Sequence, residues 1–223
     1  MALIKLKDIQ KSFRDGENRL NNVLRGINME VGKGEFVAIK GQSGSGKTTL
    51  LSILGTMLQP DAGSYLLDGS EMTEKDTDHA PIRNKQIGFV FQDHRLLPQY
   101  TTLENILLPT LAYHSKTSAE ETDYARHLME LTRISNVSNQ YPYTLSGGGA
   151  CRVAVCRALI MKPLLVLADE PTGQLDGANA KNIASLLSEI NKNIQTTIIM
   201  VTHSDEISSF AHRILTLNEG KLQ

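Results

Sequence analysis

The sequence predicts an α/β fold organised around a phosphate-binding strand–loop–helix unit. Two observations carry this. Gly41-Gln42-Ser43-Gly44-Ser45-Gly46-Lys47-Thr48 matches G-x-x-x-x-G-K-[ST] in full, with Phe36–Ile39 reading as a buried strand before it and Thr49–Leu54 as a helix after it. Leu164–Ala168 and Thr197–Val201 are continuously apolar, the pattern of parallel strands covered on both faces.

The chemistry of the loop follows from its residue types. A nucleoside triphosphate needs several donors converging on its phosphates, and side chains alone crowd so small a volume. Glycines let the backbone curl until successive N–H groups face one anion-sized hollow. Lys47 can then reach the β- and γ-phosphates, and the Thr48 hydroxyl is placed to ligate Mg²⁺. The helix that follows turns its N-terminal dipole toward the same phosphates. A Gly/Ser-rich surface turn shares the composition but not this order of strand, loop, Lys-Thr and helix.

Composition sets the outer bounds. At 223 residues, 40% hydrophobic and 21% charged, the chain reads as one large domain or two small lobes of ordinary globular make-up. Lys+Arg 23 against Asp+Glu 24 gives a formal charge of -1, so no polyanion-binding surface is implied and nucleic acid is not an expected partner. Cys151 and Cys156 are five apart on one helical stretch, a spacing of neither zinc nor redox motifs, and read as reduced core or groove-filling thiols. No apolar run approaches the roughly 20 residues of a membrane span. Met1–Lys7 alternates like a strand and lacks the shape of a signal peptide. The chain is expected in the cytosol unless another protein holds it at a membrane.

Along the chain, Leu3–Ile9 alternates as a strand, Phe13–Asn22 reads as a polar turn around Asp15-Gly16, and Val23–Val31 alternates again. Gly32-Lys33-Gly34 leads into the strand before the loop. Pro60–Gly63 is a turn, Ser64–Leu67 a short strand ended by Asp68-Gly69. Glu71–Gln86 is polar, and Ile87–Phe91 is another buried strand ending at Gln92. Leu96–Ser138 has helical spacing, with Tyr124, Leu128 and Leu131 at i, i+4, i+7, and reads as a helical insertion. Lys181–Ile190 is helical, and Arg213–Leu222 reads as a hairpin around Asn218-Glu219-Gly220.

Hydrolysis needs more than a phosphate loop. Asp169 and Glu170 leave the apolar run Leu164–Ala168 at its carboxyl end, where α/β sheets hold their ligands. Neighbours leaving a strand point in different directions, so one carboxylate can serve Mg²⁺ while the other orients water. Gln92 ends another strand, and its amide can both donate and accept. His203 follows Thr197–Val201 in the same manner, within reach of a γ-phosphate. Leu145-Ser146-Gly147-Gly148-Gly149 precedes a helical run Ala150–Met161 with Ser146 as its N-cap, a second anion-binding helix start. Two such starts are hard to explain by one nucleotide, and make sense if the second serves the nucleotide of another copy.

In this order and spacing, the phosphate loop, Gln92, Leu145–Gly148, Leu164–Glu170 and His203 resemble the ATP-binding cassette ATPases over essentially the whole chain. Phe91-Gln92 with Leu96-Leu97-Pro98, Leu103-Glu104-Asn105, and Asp169–Gly173 followed by Leu175-Asp176 are similar to the subgroup that powers lipoprotein release, macrolide or antimicrobial-peptide export, and cell-division systems. The resemblance implies a single cassette over 1–223: a RecA-like P-loop core, an antiparallel β lobe, and a helical lobe at about 95–160. It implies two cassettes head to tail around two ATPs, a homodimer being the expected form. In each site Phe13, Gly41, Ser43, Gly44, Ser45, Gly46, Lys47, Thr48 and Thr49 would bind nucleotide from one chain, with Ser146, Gly147, Gly148 and the interface loop of Asp176 from the other. Glu170 would be the general base, and His203, Gln92 and Lys47 would complete the catalytic set. Thr48, Gln92 and Asp169 would serve Mg²⁺. Phe13 stands where the family stacks a Tyr on adenine. The expected function is an ATP-hydrolysing subunit that drives export or membrane extraction. Its partners would be integral membrane permease subunits docked on the helical insertion at the cytoplasmic face of the inner or plasma membrane.

One departure is visible. The family usually continues its signature with Gln and further polar residues, where this chain has Gly149-Ala150-Cys151. The other readings are a non-transport cassette ATPase, ribosome- or DNA-repair-associated, and a plain P-loop kinase or GTPase. The first is opposed by the single cassette, the absence of a heptad run and the balanced charge; the second by Ser146–Gly148 and His203.

Overall fold

In the computed structural model, which describes residues 2–14, 16–17, 19–74 and 77–223, the alternating runs at the start of the chain form long paired strands. β1 (Ala2–Arg14) and β2 (Leu20–Gly32) pair antiparallel from Ala2↔Gly32 to Arg14↔Leu20. The expected strand Leu3–Ile9 therefore continues, and the expected turn at Phe13–Asn22 narrows to Gly16-Glu17, with Phe13, Arg14 and Leu20–Asn22 in strand; Asp15 lies outside the described residues. The register shifts between Leu6 and Ile9, and Asp8 there has φ 51. A bulge of this kind bends a strand without ending it, and it carries Phe13 beyond the sheet body. Asp61 holds the extension, accepting from Lys11 Nζ and the Ser12 amide at 2.7 Å each.

β3 (Phe36–Lys40) runs into the phosphate loop and α1 (Lys47–Leu54). β4 (Ala62–Leu67) and β5 (Ser70–Glu71) return to the antiparallel sheet, whose order is β2-β1-β4-β5. The polar stretch then contains α2 (Ala80–Gln86), which the sequence reading leaves without an element. It buries no residue fully, so it has no apolar stripe to betray it. β6 (Ile87–Val90) follows.

The helical insertion begins later than Leu96. α3 (Thr102–Leu107) and α4 (Ala119–Leu131) each open with a capping box, Thr101 with Glu104 and Ser118 with Glu121. Before α3 the chain is loop, held by the buried Asn105: its Oδ1 accepts from the Leu97 amide at 2.8 Å and its Nδ2 donates to the Leu97 and Tyr100 carbonyls. In α4 the inward residues are Ala125, Leu128 and Met129, while Leu131 is exposed. Tyr124 and Leu128 pack on the core as expected, and the stripe continues through Ala125 and Met129 rather than Leu131.

α5 (Gly147–Leu159), β7 (Leu165–Asp169), α6 (Gly177–Ile194), β8 (Thr197–Thr202), α7 (Asp205–Ser208), β9 (Arg213–Asn218) and β10 (Lys221–Leu222) complete the chain. The main sheet has the order β10-β9-β3-β8-β7-β6, parallel except for the β9–β10 hairpin. Its central strands divide their side chains between two cores. Phe36, Ala38, Val166, Ala168, Ile198 and Met200 pack with the helices α3 to α7. Val37, Ile39, Leu165, Leu167, Ile199 and Val201 pack with α1 and the antiparallel sheet. Continuous apolar runs are what burial on both faces requires. Gly88 of β6 lets α5 lie against the sheet, because a Cβ there would meet the Ala158 carbonyl oxygen at 2.1 Å. Cys151 and Cys156 are both free and fully buried. The Cys151 thiol donates to the Pro171 carbonyl at 3.3 Å, and Cys156 Sγ lies 3.1 Å from the Thr132 hydroxyl. Among the described residues no helix is long and apolar enough to cross a membrane.

Candidate active site

The loop between β3 and α1 uses backbone that side chains rarely adopt. Gly44 and Gly46 have φ 79 and 103. Gly46 is the N-cap of α1 and brings no side-chain cap, so the first N–H groups of the helix face outward for a ligand. Gly41 is required for space, since a Cβ there would sit 2.4 Å from the Leu217 carbonyl oxygen of β9. Lys47 folds back over the loop, donating to the Gly41 and Gln42 carbonyls at 2.8 and 2.9 Å.

A cavity of about 560 Å³ opens over this loop. Phe13, Val23, Ser43, Gly44, Gly46, Lys47, Thr48, Thr49, Gln92, Asp169 and Glu170 line it. Apart from Val23, these are most of the candidates named from sequence, gathered from four separate stretches. The extended β1 is what brings Phe13 here. Gly41 and Ser45 belong to the loop but not to the lining. The Ser45 hydroxyl is buried, with no hydrogen-bond partner among the described residues.

The two carboxylates diverge as the sequence implies. Asp169 ends β7 in register with Val201, and its Oδ1 accepts from the Thr48 hydroxyl at 3.4 Å. Burial raises its pKa, the Thr48 hydrogen bond working the other way. Glu170 takes φ 43, a left-handed turn that swings it away from Asp169. Its Oε2 lies 3.2 Å from His203 Nδ1 and its Oε1 3.9 Å from Lys47 Nζ. His203 stands just past β8 and lines a neighbouring cavity with Lys40, Gly41 and Gln42, so it reaches the site through Glu170. A strained backbone at a residue in such a position is a known mark of function.

Ser146, Gly147, Gly148 and Asp176 lie together elsewhere. Ser146 caps α5, accepting from the Gly149 amide at 3.1 Å. Asp176 caps α6, its Oδ1 accepting from the Asn179 amide at 2.9 Å and its Oδ2 from Asn179 Nδ2 at 2.7 Å. A Cβ on Gly147 would come 3.1 Å from Leu175, and one on Gly148 3.6 Å from Asn179 Oδ1. None of these residues lines the cavity over the phosphate loop. The structure thus brings the candidates into two groups.

Sequence reasoning misses two neighbours of the site. Val23 joins Phe13 in the lining, and only the pairing of β1 with β2 could have placed it. Arg95 stacks on Phe91, its guanidinium carbon 4.2 Å from the ring centroid. It lines an adjoining cavity with Thr48 and Asp169; its nearness to Gln92 in sequence was the available signal.

The family described as ABC transporter matches residues 24–173. The chain belongs to that family. It is 42% identical over 221 residues to the lipoprotein-releasing system ATP-binding protein LolD 1 of Rhodopirellula baltica, covering 99% of this chain and 96% of that one. It is 41% identical over 227 residues to the macrolide export ATP-binding/permease protein MacB of Syntrophobacter fumaroxidans, where the match covers all of this chain but 31% of the relative. Among solved structures, the dimeric post-hydrolysis state of the ATP-binding cassette MJ0796 bound to ADP and Pi superposes with a TM-score of 0.88. The identity is 37%, over 99% of this chain and 96% of that one. The α/β fold is that of an ABC cassette.

Proposed function

We propose that this chain is the ATP-binding and ATP-hydrolysing subunit of an ABC transporter, working as a dimer of cassettes that drives export or membrane extraction through separate permease subunits. The observation that carries the reading is the division of candidates into two groups. One cavity gathers the phosphate loop, Asp169, Glu170 and Gln92, while Ser146–Gly148 and Asp176 lie outside it at the capped starts of α5 and α6. Such a site is completed by a second copy: the γ-phosphate bridges the loop of one chain and Ser146 and Gly148 of the other, and its loss on hydrolysis lets them part. The dimeric cassette among the structural relatives is consistent with this.

Within one site each residue has a task its geometry suits. Phe13 stacks on the adenine ring. Lys47 leaves the carbonyls of Gly41 and Gln42 for the β- and γ-phosphates, as the stronger, charged acceptors. Glu170, turned toward His203, takes the proton of the attacking water, and His203 holds water and γ-phosphate in line. The donors on the other wall, the Thr48 hydroxyl, the Asp169 carboxylate and the Gln92 amide, are all oxygen ligands of the kind a hard cation takes. Mg²⁺ bound there would neutralise charge on the β- and γ-phosphates.

The permease is proposed to dock beside the helical insertion. A cavity of about 260 Å³ there is lined by Arg83 and Asn84 of α2, Phe91, Pro109 and Met161 among others. Held in this way, the chain would sit at the cytoplasmic face of the membrane. The transport names of the relatives favour this reading over the ribosome- or DNA-repair-associated alternative.

Glu170→Gln tests the chemistry. The variant should bind Mg-ATP, turn it over at less than about one hundredth of the wild-type rate, and accumulate as an ATP-bound dimer on gel filtration. Undiminished turnover would exclude Glu170 as the base. Purification of the tagged chain from gently solubilised membranes tests the transport role; it should bring down a stoichiometric integral membrane protein.

A further inference from the structure

The segment after Gln92 is folded against its own preferences. His94 and Arg95 are consecutive non-glycine residues in the left-handed region, with φ 57 and 46, where Cβ crowds the following carbonyl. His94 is 6% exposed, and neither of its ring nitrogens has a hydrogen-bond partner among the described residues. A turn this unfavourable persists only where its surroundings over-determine it.

The surroundings here are the far end of α5. Arg157 Nη2 donates to the His94 carbonyl at 2.6 Å and Arg157 Nη1 to the Arg95 carbonyl at 2.7 Å. Two donors of one planar guanidinium fix two successive carbonyls, a grip that an ammonium cannot reproduce. The helix that carries Arg157 cannot drift, because Ala158 beside it touches Gly88 of β6 backbone to backbone. On the other side of the turn, Arg95 stacks on Phe91 and pairs with Asp93 at 3.3 Å, while Gln92 lines the cavity together with Asp169 and Glu170. Arg157 itself is not part of that cavity.

We propose that Arg157 is a positioning residue for ATP hydrolysis: by clamping the His94 and Arg95 carbonyls it holds the strained turn that sets Gln92 against Asp169 and Glu170. The inference rests on the ATPase reading above. It also gives α5 two ends with two tasks. Ser146 at its start serves the partner's nucleotide, and Arg157 near its end holds the segment that serves the chain's own. A displacement of this one helix would be felt at both nucleotides of the dimer.

The test uses the full chain with Arg157→Ala and Arg157→Lys. Three readouts are needed: steady-state ATPase, affinity for a fluorescent ATP analogue, and amide exchange by mass spectrometry. In Arg157→Ala, kcat should fall about tenfold while KM and analogue affinity stay within about twofold, the split expected when groundstate binding is spared. Exchange in residues 92–97 should rise about tenfold with β3 and β7 unchanged, a local opening. Millimolar guanidinium should restore part of the lost kcat in Arg157→Ala and none in Gln92→Ala. If Arg157→Ala does not fold, Arg157→Lys carries the same test, with loss in the same direction because charge without the fork does not bridge two carbonyls. The inference is overturned by wild-type kcat in both variants. It is equally overturned by kcat and KM worsening together while exchange rises throughout the chain, the signature of a packing residue. A wild-type chain without ATPase activity overturns the function reading along with it; an active wild type with indifferent variants overturns this inference alone.

Discussion

Gly88→Ala adds one methyl group at the contact between β6 and α5, and the structure says what that costs. The new Cβ would stand 2.1 Å from the Ala158 carbonyl oxygen, 2.9 Å from its carbon and 3.1 Å from its Cβ. A carbon and a carbonyl oxygen rest no closer than about 3.3 Å, so helix and strand must separate by about 1.2 Å. No side-chain rotation can absorb this, because the two closest atoms are backbone and the third is an alanine Cβ, which has no rotamer to change. Overpacking in a well-packed core costs about 1–3 kcal/mol, and a backbone obstruction belongs at the upper end, about 3 kcal/mol. In urea denaturation, with m about 3 kcal/mol/M, the midpoint should fall by about 1 M. Two controls bracket the effect. Ile87→Val, at the neighbouring buried position, should cost about 1 kcal/mol. Gly177→Ala, at the start of α6 where a Cβ meets nothing within 4 Å, should be neutral or gain up to about 1 kcal/mol. A Gly88→Ala midpoint within about 0.2 M of wild type would refute the claim that this backbone contact holds α5 on the sheet.

Other outcomes follow from the same geometry. Gly149→Gln should raise the ATPase rate and tighten the ATP-driven dimer, since Gly weakens a helix start by up to about 1 kcal/mol and the added Cβ meets no backbone, only the Ser146 hydroxyl at 3.2 Å and Leu145 Cβ at 3.7 Å; unchanged rate and dimer affinity in sedimentation would sink the idea. Ser146→Ala removes the cap of α5 and should cost about 1 kcal/mol in thermal unfolding, and a larger loss in ATP-dependent dimerisation is expected on the proposed role. Burial pushes both Cys151 and Cys156 up to about 12 from 9.0. The unfolded chain therefore releases these protons at lower pH than the folded one, and stability falls as pH rises from about 9 toward 12, by at most about 1.4 kcal/mol per unit for each thiol. Below about pH 8, where the thiols are protonated in both states, they contribute almost no slope. A Cys151→Ala/Cys156→Ala variant should flatten that alkaline slope, and an equal slope in both proteins would contradict the burial argument.

Much of this was legible in the sequence because the side chains proposed to be catalytic sit at strand ends. Phe36–Ile39, Leu164–Ala168 and Thr197–Val201 announce themselves as apolar runs, and the candidate residues follow closely after them: the loop to Lys47, then Asp169 and Glu170, then His203 past Thr202. What escaped has physical causes as specific. α2 buries no residue fully and so has no stripe to read. β1 crosses its bulge at Asp8 and resumes with a shifted pleat, which disguised its last residues as a turn and hid the partnership of Phe13 with Val23. α4 packs through the small Ala125 as well as Leu128, and an alanine carries little weight in a hydropathy pattern. The clamp of Arg157 is a contact between residues 62 and 63 positions apart, made to backbone carbonyls that leave no trace in residue identity.

The central strands carry a further consequence. A strand with one wet face cannot slip by one residue without turning its apolar side chains into water. β3, β7 and β8 have no wet face, and their odd and even positions are equally apolar. Slippage there would exchange the contents of two cores without exposing either, so hydropathy alone sets no phase for these strands. The landmarks that do are the polar residues at their carboxyl ends, Lys40, Asp169 and Thr202, aligned across neighbouring strands as Lys40↔Thr202 and Asp169↔Val201. One of these stops, Asp169, is thus also a residue that would serve the nucleotide's metal. In such a sheet, Asp169→Leu would remove a stop as well as a carboxylate, and misaligned sheet would be part of its phenotype.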